Sequence, residues 1–411
     1  MKEKQLTQIY REESRNLTAT LIKIFGFSYF EEIEDAVQET FLSAFEVWKL
    51  KGLPENPKAW LYAVAKNKIL SKIQKIKNRE KILEKNLNIF PKEFHLEAVW
   101  EKEIQSIDDN TLQVLFAISH PSLPVDSQIA LALKTSFGFT VKEIAELQMM
   151  EEETIQKKLY RARQTIQNQS LSMAFPPRQE LEERRASVLK IIYLVFTQGH
   201  YGHSKKGILQ IDLMREALRL SLLLSQNQTL KSYDVDALVA LFAFHSSRLE
   251  SRVAETPYLL AIDHQDRTKW NQELIQFGNI YLTKSLEASR RLQTDYQVEA
   301  MIAMMHTRED NKEKWEILSD LNEQLFRLTE NKTVFLNQVY SVFRSKGRID
   351  ALALLSTQNN IPESVYFHLL LAYIWKQENR DLANSHLESA QRLAKTQEER
   401  ETILFNWNLS P

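Results

Sequence analysis

The segment between positions 58 and 79 could bind nucleic acid. It contains seven basic side chains and no acidic one: Lys58, Lys66, Lys68, Lys72, Lys75, Lys77 and Arg79. Lysines neutralise phosphates, amides such as Asn67 can read base edges, and an exposed indole such as Trp60 can stack on an unpaired base. The alternative is a solvated helix whose lysines only keep the surface soluble. Trp60 falls on the polar face of the predicted helix, which favours nucleic-acid binding.

A second candidate site follows a turn before residue 140. Thr140 and Glu143 have the spacing of a capping box, in which each side chain bonds to the backbone amide of the other residue. The sequence predicts a short helix, a turn at 148–151 and a second helix from about 152 to 168. The exposed face of the second helix would carry Glu153, Lys157, Tyr160, Arg161 and Gln164. This spacing predicts a helix-turn-helix for the major groove, with a helical hairpin that has no DNA role as the alternative.

Two other clusters contain side chains capable of chemistry, and both have simpler explanations. His200 and His203 could be half of a metal site, but no carboxylate accompanies them. The run Asp-His-Gln-Asp-Arg at 263–267 is more simply a buried capping and ion-pair network at a helix start than an acid–base pair. The chain has no cysteine, which excludes thiol nucleophiles, disulfides and iron–sulfur clusters. We therefore expect a protein that is not an enzyme and has no metal site and no cofactor.

The elements that position these residues are predicted to be helices. Only 8 of the 411 residues are glycine, and apolar residues make up 43% of the chain, which favours helical elements with packed cores and short connections. The net charge of -1 argues against a polycation that binds any nucleic acid. The polar N-terminal segment and the lack of a membrane-length apolar run predict a cytoplasmic location.

The chain is expected to divide into several domains. Pro176 and Pro177 cannot continue a helix and mark one boundary. The expected parts are a helical domain at 1–82, a linker at 83–107, a helix-turn-helix domain at 108–175 and a helical array at 176–411. Residues 339–356 and 366–393 hint at a tetratricopeptide-like repeat of helix pairs, with a bundle that has no repeats as the alternative.

Taken together, these segments resemble a bacterial sigma factor of the extracytoplasmic-function class with a C-terminal tetratricopeptide-like extension. The resemblance rests on Ile-Glu-Asp-Ala-Val-Gln-Glu at 33–39, Thr-Val-Lys-Glu-Ile-Ala at 140–145 and Leu-Tyr-Arg-Ala-Arg at 159–163. Residues 188–196 and 263–270 match the extension. The sequence departs from the family at Ser71, Lys72 and Gln74, where aspartate, arginine and arginine are frequent. It departs again at Glu151–Glu153, where serine usually caps the helix.

This resemblance implies an all-α protein with two small sigma domains, region two and the helix-turn-helix region four. The implied partners are the RNA polymerase core, through the clamp of its largest subunit and its flap, and promoter DNA. A protein or ligand of unknown identity could bind the extension, and no membrane is involved. The competing interpretation is a tetratricopeptide-type adaptor or anti-sigma-like regulator that acts through protein contacts alone.

The resemblance also assigns roles to individual residues. Residues implied to bind polymerase are Asp35, Gln38, Glu39 and Phe41. Residues implied to bind the −10 promoter element are Asn56, Lys58, Trp60, Lys66, Asn67, Lys68, Ser71, Lys72 and Lys75. Residues implied to bind the −35 element are Glu153, Thr154, Lys157, Lys158, Arg161 and Arg163.

Overall fold

The computed structural model is helical throughout the part of the chain that it describes. That part comprises residues 9, 13–14, 17–22, 24–26, 29–84, 109–148, 150–169, 171, 176–201, 211–252, 258–289 and 294–409. No strand occurs among these residues, and the predicted all-α class is confirmed. The predicted linker at 83–107, apart from its first two residues, and His203 lie outside the described residues.

The chain divides into two compact units, residues 1–195 and 196–411, and the division falls within a single helix. Elements are numbered here along the chain. The first unit contains α1 to α6 and the start of α7, with the bounds α1 Phe30–Lys51, α2 Pro57–Glu84, α3 Asn110–Ile118, α4 Val125–Phe137, α5 Val141–Gln148, α6 Glu152–Asn168 and α7 Leu181–Tyr201.

Helices α1 and α2 pack against each other through apolar stripes at helical spacing. On α2, Leu61, Ala65 and Ile69 are fully buried, as the periodicity predicts. Between the helices, Gly52 has a φ of 85°, a left-handed value that glycine adopts without strain, and it ends α1. Asn56 begins α2 because its Oδ1 accepts a hydrogen bond from the backbone N–H of Ala59 at 3.0 Å.

The predicted capping box begins α5. The backbone N–H of Thr140 donates to Glu143 Oε2 at 2.8 Å, and the N–H of Glu143 donates to Thr140 Oγ1 at 3.2 Å. Gly138, with a φ of 69°, makes the turn that separates α4 from this box. Helix α6 then buries Ile155, Leu159, Ala162 and Ile166, as predicted. The capping box and the inward face of α6 are therefore confirmed.

The second unit is built from eleven further helices in the described part of the chain. Most begin with a side chain that accepts a hydrogen bond from the first helical turn, as Asn311 does from Lys314 at 2.8 Å. Their bounds are α8 Ile211–Gln226, α9 Tyr233–Ser246, α10 Leu249–Arg252, α11 Gln272–Ala288, α12 Asp295–Thr307, α13 Lys312–Thr329, α14 Lys332–Lys346, α15 Arg348–Ser356, α16 Val365–Trp375, α17 Arg380–Leu393 and α18 Gln397–Leu409.

Pairs of helices occur at both positions where the sequence suggested a tetratricopeptide-like repeat. Helices α14 and α15 cover the first predicted pair, and α16 and α17 cover the second. Ala372, Ala383 and Ala390, the small residues that suggested the repeat, are fully buried. Small side chains allow helix backbones to approach each other closely, which explains their position. Within the described residues, no helix is long and apolar enough to span a bilayer.

Helix α9 is the centre of the second unit. Every residue from 235 to 244 is buried, including a charged one, Asp236, whose carboxylate pairs with Lys284 of α11 at 2.9 Å. Helix α11 approaches α9 closely at Gly278. A Cβ atom added there would lie 2.7 Å from Cε1 of Phe244, a ring that is itself fully buried.

We predict that Gly278→Ala destabilises the protein. Alanine in a helix is normally favoured over glycine by about 1 kcal/mol. At this position, overpacking against the Phe244 ring should outweigh that gain and lower the free energy of unfolding by about 1–3 kcal/mol. Urea unfolding followed by circular dichroism measures the change. The control is Asn279→Ala, an exposed position on the same helix, which should lose no stability. Equal stability of Gly278→Ala and the parent chain would show that the ring can move.

Candidate nucleic-acid interface

A groove of about 360 Å³ runs between α1 and α2. Because α2 buries its apolar face against α1, its polar side chains lie outside the core, and those on the side next to α1 line the groove. Six predicted site residues line it: Glu39, Asn67, Lys68, Ser71, Lys72 and Lys75. Val64 is its apolar lining residue, and sequence reasoning did not single it out. The structure therefore brings together side chains that were assigned to two different partners.

Ion pairs cross this groove. Lys72 Nζ lies 3.0 Å from Glu39 Oε1 and 3.4 Å from Asp35 Oδ2, and Lys68 Nζ lies 3.5 Å from Glu39 Oε2. The hydrogen bond from Lys72 lowers the pKa of Glu39, and the same bond raises the pKa of Lys72. Both groups are therefore charged at neutral pH. Because the carboxylates are largely exposed, each pair stabilises the fold only weakly.

The other polar residues predicted to bind the −10 element differ in how many contacts they make within the chain. Lys66 and Lys75 are exposed, and the described residues show no ion pair for either. Asn67 and Ser71 are exposed as well, although Ser71 Oγ donates to the Asn67 carbonyl at 2.9 Å. Lys58 is mostly exposed and lies 3.6 Å from Glu13. All of these side chains are accessible from solvent on α2.

Trp60 lies at the start of α2 on a rigid support. Its ring is half-buried and makes a T-shaped contact with Trp48, at 5.3 Å between ring centroids, while Trp48 is buried in the core. The edge-on contact fixes the orientation of the indole. Asn56, predicted to contact DNA, uses its Oδ1 to cap α2, so its carbonyl oxygen has a structural role in the chain alone.

The residues predicted to bind polymerase do not all face outward. Asp35, Gln38 and Glu39 are exposed on α1, but Phe41 is buried, with 7% of its surface exposed. Leu42 and Phe45, at 67% and 42%, are exposed apolar residues in the middle of that helix, and Leu50 is exposed at its C-terminal end. Sequence reasoning missed Leu42 and Phe45 as contact residues. Their spacing of four and seven residues from Gln38 was the signal that could have found them.

The predicted −35 residues divide into two groups on α6. Glu153, Thr154, Lys157 and Arg161 are exposed, and a hydrogen-bonding distance of 2.7 Å joins Lys157 to Glu153 one turn away. Lys158 and Arg163 are half-buried and make ion pairs with other helices. Lys158 contacts Asp126 of α4 at 2.7 Å, and Arg163 contacts Glu31 of α1 at 2.6 Å.

The two other clusters considered from sequence have structural roles in the second unit. His200 is buried, its ring stacks on Phe196, and its Nδ1 lies 2.9 Å from Arg252 Nη1. Burial lowers the pKa of His200 well below its usual value, so the ring is neutral. The described residues contain no group of three or more side chains placed to hold a metal ion.

The run at 263–267 joins an ion-pair network. Asp263 accepts hydrogen bonds from Arg344 Nη1 at 2.9 Å and from the Tyr340 hydroxyl at 3.0 Å. Asp266 caps a short 3₁₀ turn through the backbone N–H of Thr268. Arg267 lies over the ring of Trp270. This is the capping and ion-pair network that the sequence suggested, although both carboxylates are exposed rather than buried.

Comparison with known proteins agrees with the N-terminal geometry. Residues 9–79 match the sigma-70 region 2 family, and residues 184–286 match a family of unknown function, DUF6596. An uncharacterized protein of Rhizobium meliloti (strain 1021) is 29% identical over 358 residues, which cover 84% of this chain and 82% of that protein.

A second relative is described by its function. The ECF RNA polymerase sigma-E factor of Haemophilus influenzae is 27% identical over 141 residues, which cover 33% of this chain and 74% of that protein. No solved structure matches the chain significantly. The chain therefore carries a sigma-70 region 2 domain at its N-terminal end and a DUF6596 domain C-terminal to it, an organisation consistent with an ECF sigma factor that has an extension.

Proposed function

We propose that this chain is an RNA polymerase sigma factor of the extracytoplasmic-function class that directs promoter-specific transcription initiation. The observation that carries the proposal is the coincidence of the region 2 match with an acid-free lysine face on α2, bordered by a groove and by a rigidly held indole. A sigma factor is not itself a catalyst. Its contribution is to select DNA and to hold the separated strands.

The −10 element would bind along the exposed face of α2. Exposed Lys66 and Lys75 would neutralise phosphates, and Asn67 would hydrogen-bond to base edges. Trp60 would stack on an unpaired or flipped base at the start of the helix. Flipping a base costs a few kcal/mol, and stacking on an aromatic ring returns about 1–3 kcal/mol. A ring already oriented by Trp48 loses little freedom when the base arrives.

The −35 element would bind along α6. Three residues separate α5 from α6, and α6 buries one face and exposes the other, as a recognition helix requires. Lys157 and Arg161 are the exposed cations on that face, and Thr154 is exposed beside them. Glu153, exposed at the same end of the helix, would accept hydrogen bonds from cytosine amino groups rather than contact phosphate.

Polymerase would bind the exposed face of α1. Asp35 and Gln38 provide polar contacts, and Leu42 and Phe45 provide the apolar area that a stable protein interface needs. Phe41 supports this face from inside the helical core. The second unit, with its stack of helix pairs, would regulate sigma activity in cis or bind a partner protein or ligand.

The decisive experiment is transcription in vitro with core polymerase on a library of DNA fragments. We expect promoter-selective transcripts from the parent chain. Trp60→Ala should assemble with core polymerase but fail to form open complexes, because the stacking platform for the flipped base is gone. Trp60→Phe, which keeps an aromatic ring, is the matched control and should retain part of the activity. Permanganate footprinting of unpaired thymines measures opening, and full opening by Trp60→Ala would contradict the −10 assignment.

The −35 contacts predict a change in salt dependence. Lys157→Ala combined with Arg161→Ala should reduce the magnitude of the slope of log affinity against log salt concentration by about 2. Each phosphate contact with duplex DNA contributes about 0.9 to that slope, and two contacts are lost. Lys158→Ala is the comparison, since Lys158 is half-buried against Asp126 and should change the slope less. Holoenzyme binding to promoter fragments at several salt concentrations measures both. An unchanged slope in the double variant would exclude these phosphate contacts.

Deletion of the second unit tests its proposed role in regulation or partner binding. A chain that ends at Val195 keeps the first unit whole, including the hydrogen bond from Arg184 to the Phe116 carbonyl. We expect this chain to bind core polymerase but to lose promoter-selective transcription, because a surface for a required partner or for the active arrangement has been removed. A rise in transcription would instead show that the second unit inhibits.

A further inference from the structure

Residues 258–264, called the strap here, cross the helices of the second unit. The strap follows α10 in the chain, but the helices that it contacts come much later. At one end, the ring of Tyr258 lies 5.3 Å from the ring of Phe405 in α18, measured between centroids. At the other end, Asp263 contacts Arg344 of α14. One short segment therefore bridges two helices of the array that are far apart in the sequence.

An asparagine of α18 holds the backbone of the strap. Asn406 Oδ1 accepts a hydrogen bond from the backbone N–H of Ala261 at 2.7 Å, and Asn406 Nδ2 donates to the Leu259 carbonyl at 3.0 Å. Ala261 is extended, with a φ of -60° and a ψ of 153°. A carbonyl and an N–H two residues apart are the groups that a neighbouring strand would pair with. The side chain of Asn406 therefore recognises extended backbone in place of a strand.

Two side chains of the strap make specific polar contacts. The Tyr258 hydroxyl donates to Glu401 Oε2 of α18 at 3.1 Å. Asp263 Oδ2 accepts hydrogen bonds from Arg344 Nη1 at 2.9 Å and from the Tyr340 hydroxyl at 3.0 Å. The bond between the guanidinium and the carboxylate joins two charged groups, which makes it the strongest of these contacts. The surface thus selects a tyrosine and, five residues later, a carboxylate.

The side chains that receive the strap are positioned by other contacts as well. Arg344 Nη2 donates to Asp310 at 2.6 Å, and its guanidinium lies 4.4 Å from the centroid of the Trp315 ring. Asn406 Nδ2 also donates to the Thr402 carbonyl of its own helix at 2.9 Å. These contacts do not involve the strap. The surface is therefore preorganised, and its side chains lose little freedom when a ligand binds.

The strap itself contributes little to the core. None of its seven side chains is buried, and burial resumes only at Gln265 and Trp270, which anchor its C-terminal end. Every residue from 235 to 244 of α9 is buried by comparison. A surface segment held mainly by hydrogen bonds opens at a lower free energy than the core unfolds. The strap can therefore leave its site while the helices stay folded.

We propose that the strap occupies, within the chain, a docking surface for an extended segment of another protein. The surface consists of Tyr340, Arg344, Glu401, Phe405 and Asn406, and the segment that it takes has a tyrosine five residues before an aspartate. The strap shows which chemistry fits, because it makes all of these contacts itself. A partner with the same pattern displaces the strap. The proposal rests on the partner-binding role proposed for the second unit, and not on sigma activity of the first.

The test uses a fluorescent peptide with the sequence of residues 258–266 and blocked ends, added to the full chain. In the parent chain the strap competes with the peptide. Tyr258→Ala combined with Asp263→Ala weakens the strap, so the apparent affinity for the peptide should rise about five- to ten-fold. Fluorescence anisotropy measures both affinities. Equal affinity for the two chains, or binding to neither, would overturn the docking surface.

Changes in the peptide test the contacts without altering the protein. Against the chain with the weakened strap, a peptide with Asp263→Asn should bind about ten-fold more weakly, because the charge-assisted bond to Arg344 is lost. A scrambled peptide of the same composition is the matched control and should not bind. Equal binding of the asparagine peptide and the original would refute the selection of a carboxylate.

A change in α18 tests the backbone contact. In the chain with the weakened strap, Asn406→Ala should lower the affinity for the peptide at least about five-fold, because two hydrogen bonds are lost. Asn408→Ala, at an exposed position on the same helix, is the matched control and should leave the affinity unchanged. Circular dichroism checks that both variants fold. The same loss in both variants would exclude recognition by Asn406.

Hydrogen exchange in the parent chain tests whether the strap opens by itself. Strap amides should exchange at least about 100-fold faster than those of residues 235–244, and faster still in Asn406→Ala. Exchange of the strap at the rate of α9 would overturn the proposal, since the strap would then leave only on unfolding. A dimer of the parent chain that Asn406→Ala abolishes would instead identify a second copy as the occupant. None of these measurements uses polymerase, so their failure would refute the docking surface and not the sigma function.

Discussion

The apolar stripe of α2 is the constraint on which the candidate DNA site depends. Leu61, Ala65 and Ile69 are fully buried in the packing of α2 against α1, and this burial fixes the rotation of α2 about its axis. Once that rotation is fixed, a segment with seven basic residues and no acid has only one place for its charge, which is the solvent side. The positions of the groove, the lysines and the exposed amides all follow from this orientation of α2.

Acidic and basic side chains are concentrated on separate surfaces of the protein, which the near-zero net charge does not reveal. The net charge of -1 arises because acidic and basic faces coexist within one unit and are joined by ion pairs across elements. Helix α1 supplies the acids for pairs with cations of α2, α4 and α6, and α4 supplies Asp126 for a further pair with α6. A protein of this kind attracts a polyanion weakly by itself. Its proposed affinity for DNA would depend on which carboxylates have been displaced.

Features that depend on residues close together in the sequence could be predicted. Contacts between residues far apart in the sequence could not. The all-α class, the Thr140–Glu143 capping box and the inward face of α6 depend on residues three or four positions apart. The pairing of Lys72 with Asp35 spans 37 residues, and that of Arg163 with Glu31 spans 132. No local pattern encodes such pairs, because they depend on how the helices pack together.

The placement of Phe41 shows a different reason for failure. Helix α1 has apolar residues on both its buried and its exposed face, so periodicity alone did not decide whether Phe41 or Leu42 points outward. The structure buries Phe41 and exposes Leu42. An apolar residue on an otherwise acidic face is a better indication of a protein contact than an apolar residue within the regular stripe.

The ion pairs of α1 also give the chain an unusual response to ionic strength. Salt weakens the attraction between lysine and phosphate, but it also weakens the internal pairs that occupy Arg163, Lys68 and Lys72. These two effects oppose each other. The free chain should therefore lose DNA affinity less steeply as the salt concentration rises than a protein that has the same cations without these internal ion pairs.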